Sequence, residues 1–198
     1  MPSPIGHALV GLVAAWAVDL VPGERAWRIA PRPASWLGRA GNGLTLACVA
    51  LAAAADLDLL FASHRTATHS LGAVVLVGAF AAALAAYAQR PVIRVASMCA
   101  AAYATHLFAD WLAVDISPPR GIQALWPFSR EWFISGIDLF QRTERRDLWT
   151  FATIITNLKT ILLELMILGP LVVALWLVRV KALTRLPSEM ARRDHAAQ

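Results

Sequence analysis

Cysteine is nearly missing from this chain: two residues, Cys48 and Cys99, both inside apolar runs and with no C-x-x-C spacing. That pattern reads as packed thiols and argues against a disulfide framework or a zinc knuckle. Charge is scarce as well, at 16% of residues, where soluble domains carry about a quarter. The opening M-P-S-P-I-G-H holds no Lys or Arg. Without a basic n-region it does not read as a cleaved secretory signal, and the first apolar run is expected to stay as a spanning helix. There is no internal repeat, and no low-complexity tract beyond Ala-rich helix faces.

What is present is apolar and clustered. Hydrophobic residues make up 58% of the 198 and the mean hydropathy is +0.56. This points to an integral membrane protein rather than a soluble one. The net charge of +5 could suggest nucleic acid, but the basic residues flank the apolar runs, where membrane topology places them. No nucleic-acid partner is expected. Membrane lipids are.

Five runs approach the roughly 20 helical residues that cross a bilayer core. They are 5–21, 44–62, 70–89, 92–114 and 161–180, which predicts an all-α, polytopic transmembrane bundle of about five spans. Residues 1–180 form one catalytic domain in this reading, and 181–198 a basic, polar tail. Thr68 or Ser70 can cap the third run, and Pro91 suits the first turn of the fourth. Between the fourth and fifth runs, 115–160 carries an aromatic cluster at Trp126, Phe128, Trp132, Phe133 and Phe140 and reads as an interfacial segment. Glu164 is expected to pair with Lys159 or to snorkel. Asp19 is expected at headgroup level. Lys and Arg of the 22–43 loop, the 90–91 turn and the tail outnumber those of the opposite side, which places the N-terminus outside and the C-terminus in the cytoplasm.

The stretch Ala55–Ser70, A-D-L-D-L-L-F-A-S-H-R-T-A-T-H-S, sets Asp56, Asp58, His64, Arg65 and His69 between two apolar runs. His106 and Asp110, four apart, share a helix face and can grip one ion. His7 opens the first run. With five spans, all of these residues converge on one face of the membrane. Mixed imidazole and carboxylate donors suit zinc first, with manganese or iron as alternatives, and argue against magnesium or calcium alone. Buried unpaired carboxylates would cost several kcal/mol at about 2.5–3.5 kcal/mol each, which a bound cation offsets. The candidate ligands are His7, Asp56, Asp58, His69, His106 and Asp110. His64 or Asp58 is the candidate general base, and Arg65 the residue that holds an anionic substrate group.

The elements P-I-G-H, A-D-L-D, S-H-R-T-A-T-H-S-L, A-T-H-L-F-A-D-W-L and G-I-Q-A-L-W-P, in this order from His7 to Pro127, resemble the YdjM-like family of membrane-bound metal-dependent hydrolases. The resemblance implies a multi-pass protein of a bacterial inner membrane and a hydrolase. Two positions depart from the family's pattern: Ala55 stands where Pro is common before the first aspartate, and Leu59 where relatives often have His. The functional expectation is hydrolysis of an ester or phosphoester of a lipid or lipid-linked substrate at the outer face. The rivals are an ion or proton transporter using the same His/Asp cluster, and a non-catalytic component built on a structural metal. The oligomeric state is not legible.

Overall fold

The computed structural model describes residues 1–21, 41–61 and 64–196, with the backbone alone for 60, 61 and 182–196. Among these residues five α-helices follow in order: α1 (Pro4–Leu20), α2 (Gly43–Ala54), α3 (Leu71–Tyr87), α4 (Val92–Trp111) and α5 (Phe151–Ala196). Among the described residues there is no strand, only two isolated bridges, Ala113–Phe140 and Ile122–Phe133. The all-α expectation holds.

Local sequence explains where the helices begin. Ser3 caps α1, its Oγ accepting from Gly6 N at 3.0 Å, and Pro4 takes the first turn, where no N–H is needed. Asn42 and Thr45 form a reciprocal capping box at α2. Ser70, not Thr68, caps α3, accepting from Ala73 N at 3.1 Å.

Among the described residues two helices are long and apolar enough to cross a membrane: Val92–Trp111, and Phe151–Lys181 within α5. Pro4–Leu20 and Leu71–Tyr87 are shorter apolar helices. The second run departs from expectation. Its α-helix stops at Ala54 and the chain continues as a 3-10 turn over Ala55–Phe61, because aspartates two apart cannot both face inward from a regular α-helix. The last helix begins ten residues before the expected 161 and passes straight through the expected boundary at 180. Arg25, Arg28, Arg32 and Arg39, which enter the charge count for orientation, lie outside the described residues, as do the side chains of Arg185, Arg192, Arg193 and His195.

α1 is the hub, packing against α2, α4 and α5, while α3 packs on α4. Two glycines allow this. A Cβ on Gly11 would sit 2.3 Å from Ala52 Cβ of α2, and one on Gly6 would sit 2.7 Å from Glu164 Cδ of α5. Small residues are what let membrane helices approach this closely. Cys48 and Cys99 are free thiols in the core between α2 and α4.

The molecule is inverted relative to a soluble protein. His7, His69, His106 and Glu164 are fully buried, while Val75 and Leu76 on α3 are 69% and 70% exposed. An apolar outer surface around a polar interior is what a lipid solvent favours. Polar groups gather at both ends. Opposite the histidines, Arg94 Nη2 donates to Val21 O at 2.7 Å and Nη1 to Val18 O, closing the C-terminus of α1. Arg179 there pairs with Asp19 at 3.1 Å.

The segment 112–150 is irregular and folds back across the histidine end. Leu139 N donates to Leu112 O at 2.8 Å, Val114 N to Phe140 O at 2.9 Å and Thr143 N to Met1 O at 3.1 Å. Of its aromatic residues, Phe128 is fully open at 95% exposure, whereas Phe140 is buried.

Candidate metal centre

Seven residues predicted from sequence meet in one connected cluster. α1 brings His7, the 3-10 turn after α2 brings Asp56 and Asp58, the following turns bring His64 and His69, and α4 brings His106 and Asp110. The rings of His7 and His106 stack with centroids 3.8 Å apart. His69 and His106 present their Nε2 atoms to each other at 3.0 Å.

Around that pair lie two carboxylate oxygens. Asp110 Oδ2 is 3.3 Å from each Nε2, and Asp56 Oδ1 is 3.7 Å from each. A tetrahedral ion with ligand bonds of roughly 2.0–2.2 Å has ligand-to-ligand edges of about 3.3–3.6 Å. Donor types and spacing therefore fit a divalent cation. His7 Nε2 lies 3.4 Å from the other oxygen of Asp110, Oδ1, so Asp110 faces three imidazoles at once. Among the described residues two adjacent triads with no residue in common have the donor spacing to hold an ion, His7–His106–Asp110 and Asp56–His64–His69.

The atoms behind the ligands agree with this. His106 Nδ1 donates to Ala52 O at 2.7 Å, and a carbonyl only accepts, so the Nδ1 proton is fixed there. His69 Nδ1 lies 3.1 Å from Asp58 Oδ2 and 3.0 Å from Thr68 Oγ1. A carboxylate or carbonyl behind each imidazole is the usual way a protein orients metal-ligating histidine. Both nitrogens of His7, Oδ1 of Asp56 and both oxygens of Asp110 are buried without a hydrogen-bond partner. Such groups are costly to bury unless they have a partner.

Asp58 takes a different place from the one read in the sequence. Its Oδ1 meets His64 Nδ1 at 2.7 Å. Its Oδ2 accepts from Thr68 Oγ1 at 2.5 Å and Arg65 N at 3.2 Å and faces His69. Its oxygens thus meet the Nδ1 atoms of two histidines, His64 at 2.7 Å and His69 at 3.1 Å, a position suited to orienting both rings. Thr68, read in the sequence only as a candidate helix cap, completes that arrangement.

Arg65 also differs. Its guanidinium is held by Asp115 and lies 5.6 Å over the Trp132 ring, away from the cluster. Its backbone, at φ 67°, turns the chain so that the amide reaches Asp58. The arginine nearest the centre is Arg145, with Nη2 3.5 Å from Asp56 Oδ2 and Nη1 3.2 Å from His64 Nε2. Nothing in local spacing links Arg145 to a motif some 80 residues away.

Glu164 was also read differently from the sequence. It accepts from Ser3 N at 2.6 Å and from Ser3 Oγ, so α5 grips the start of α1 one turn before His7.

Two titrations outside the helices bear on the chemistry. For His69, burial opposes protonation, but the carboxylates of Asp110, Asp56 and Asp58 outweigh it and raise the imidazole to about 10. For His64, burial dominates and lowers the imidazole below its usual value, against the pull of Asp58. Burial thus favours the neutral form of His64, with Nδ1 on Asp58 and Nε2 against Met1 Sδ at 2.7 Å and Arg145 Nη1 at 3.2 Å.

A family model described as YdjM inner membrane protein matches residues 1–184. The chain belongs to that family, and the match runs well past Pro127, where the readable motifs end. No curated protein and no solved structure matches the chain.

Proposed function

We propose that this member of the YdjM inner membrane family is a metal-dependent hydrolase acting on an ester or phosphoester of a lipid or lipid-linked substrate. One observation carries the reading: two buried imidazole Nε2 atoms face each other within a ring of two carboxylates, with an acceptor behind each ring's Nδ1. With no ion present a proton on His69 Nε2 can bridge the pair, and a divalent cation held by both Nε2 atoms and the carboxylates would take that proton's place. Zinc suits these donors best, with manganese or iron next.

His69, His106, Asp110 and Asp56 would hold the ion, and His7 would approach Asp110 from its far oxygen. A divalent ion in that place supplies Lewis-acid activation of water and of the scissile group. The chain's own base is His64. Its Nδ1 proton rests on Asp58, which fixes the tautomer and stabilises the imidazolium formed when Nε2 takes a proton. Burial keeps His64 neutral and ready to accept.

The site lies at one end of the bundle, at headgroup depth if the helices cross the membrane. α2 with its 3-10 continuation reaches about 32 Å by helical rise, enough for a crossing beside the other four helices. That length supports a reading with about five spans, and the Lys and Arg count is what favours the outer face for the centre. Hydrolysis of a labelled phospholipid by purified protein, abolished in both His64→Ala and His106→Ala, tests the proposal. Metal-dependent ion flux without hydrolysis would replace it by the transport reading.

A further inference from the structure

Beside the centre, and outside the set of metal donors apart from His64, lies a polar cavity of about 340 Å³. Its wall includes four arginines, Arg65, Arg142, Arg145 and Arg146, and two acids, Asp115 and Glu144. The acids are already engaged, Asp115 by Arg65 and Glu144 by Arg142. The wall's four arginines thus outnumber its two acids, with Arg145 reaching Asp56 beyond the wall and Arg146 adding positive charge of its own. His64 forms part of the same wall.

We propose that this cavity holds an anionic phosphate group of the substrate, with Arg145 as its principal contact and Arg146 as its second. The proposal rests on the metal-hydrolase reading and narrows it, selecting a phosphoester over a carboxylic ester. A carboxylic ester is neutral in its ground state and gives such a cavity nothing to neutralise. A phosphoester carries one or two negative charges, and guanidinium forks match its oxygens in pairs.

Arg145 connects the cavity to the centre. One end of its fork touches Asp56 on the oxygen turned away from the histidine pair, and the other touches His64 Nε2. A phosphate gripped there lies one side chain from the base and from a metal ligand at once. When a cation takes up the charge of Asp56, the attraction between Asp56 and Arg145 weakens. Arg145 is then freer to bind an anion, so phosphate and metal should bind cooperatively. Arg65, tied to Asp115 and Trp132, shapes the wall instead.

The test uses the full-length protein in detergent, with metal content assayed in every sample and inorganic phosphate as the probe, followed by ³¹P line broadening. Phosphate should bind the metal-loaded protein more tightly than the chelator-treated one. Arg145→Gln and Arg146→Gln should each weaken it about tenfold or more, Arg145→Lys less, and Arg130→Gln, outside the cavity wall, not at all. Unchanged phosphate affinity in Arg145→Lys and Arg145→Gln, or no phosphate binding while metal is retained, overturns the proposal and leaves the metal centre standing. Failure of the wild-type protein to take up metal overturns the reading beneath it. Competition separates the sources. Short-chain phosphatidate effective well below the concentration of glycerol phosphate supports a lipid phosphate, equal potency supports a soluble phosphoester, and no competition by either overturns the assignment.

Discussion

His69 and His106 come from different segments of the chain, yet their Nε2 atoms stand 3.0 Å apart while each Nδ1 faces an acceptor, Asp58 for one and the Ala52 carbonyl for the other. Neither ring can turn away without losing that partner. The facing pair is therefore held by the protein behind it, in an arrangement that could hold a cation.

Removing the orienting group should weaken the centre without abolishing it. Asp58→Asn leaves the ligand atoms in place but replaces a charged partner of His69 and His64. Metal affinity should drop by about 10–100-fold, the range typical of groups behind metal ligands. Competition with a chromogenic chelator measures this, and an affinity equal to wild type would show that Asp58 does not act through His69.

Metal uptake should release a proton. With the ion absent, the surrounding carboxylates raise His69 to about 10, so at pH 7.5 its ring carries both protons. Coordination through Nε2 displaces about one of them. Affinity should therefore rise with pH up to about 10 and fall as the solution is acidified. Calorimetry in two buffers of different ionisation enthalpy reads the proton count directly. A count near zero would mean that His69 is not a ligand.

The close approach of α1 and α2 can be tested apart from the chemistry. Gly11→Ala places a methyl 2.3 Å from Ala52 Cβ, and overpacking of this kind costs about 1–3 kcal/mol. Thermal unfolding in detergent should show a lower midpoint, and Ala52→Gly should restore part of the loss in the double variant. Additive effects in that cycle would contradict direct contact.

Glu164 should matter to the fold more than its distance from the cluster suggests. Glu164→Ala leaves Ser3 N and Oγ without their buried acceptor, a loss of about 1–3 kcal/mol, and loosens the helix turn that carries His7. A lower unfolding midpoint is expected. Lys159→Ala should leave it unchanged, since Lys159 is not the partner of Glu164.

The candidate site was readable where chemistry repeats at helical or turn spacing. His106 and Asp110 share a face because they are four apart, and the A-D-L-D and S-H-R-T-A-T-H-S elements stand out as polar residues in apolar surroundings. Which oxygen of an aspartate faces the centre depends on the backbone turn, so Asp58 could not be told from Asp56 by spacing alone. Arg65 was conspicuous in the motif, yet Asp115, 50 residues on, holds its guanidinium. Arg145 and Glu164 reach their partners through tertiary packing across 81 and 161 residues, a relation that no local pattern encodes. Helix ends were blurred for a similar reason. The 3-10 turn after Ala54 keeps apolar residues around its two aspartates and has no Gly or Pro to mark where the α-helix ends.

Metal content of the full-length protein, purified in detergent and loaded with zinc or manganese, tests the central claim most directly. The wild type should retain at least about one ion per chain after removal of excess metal, and His106→Ala, still eluting as a folded species, should retain a small fraction of that. Equal retention by the two proteins, or none by either, would contradict the account.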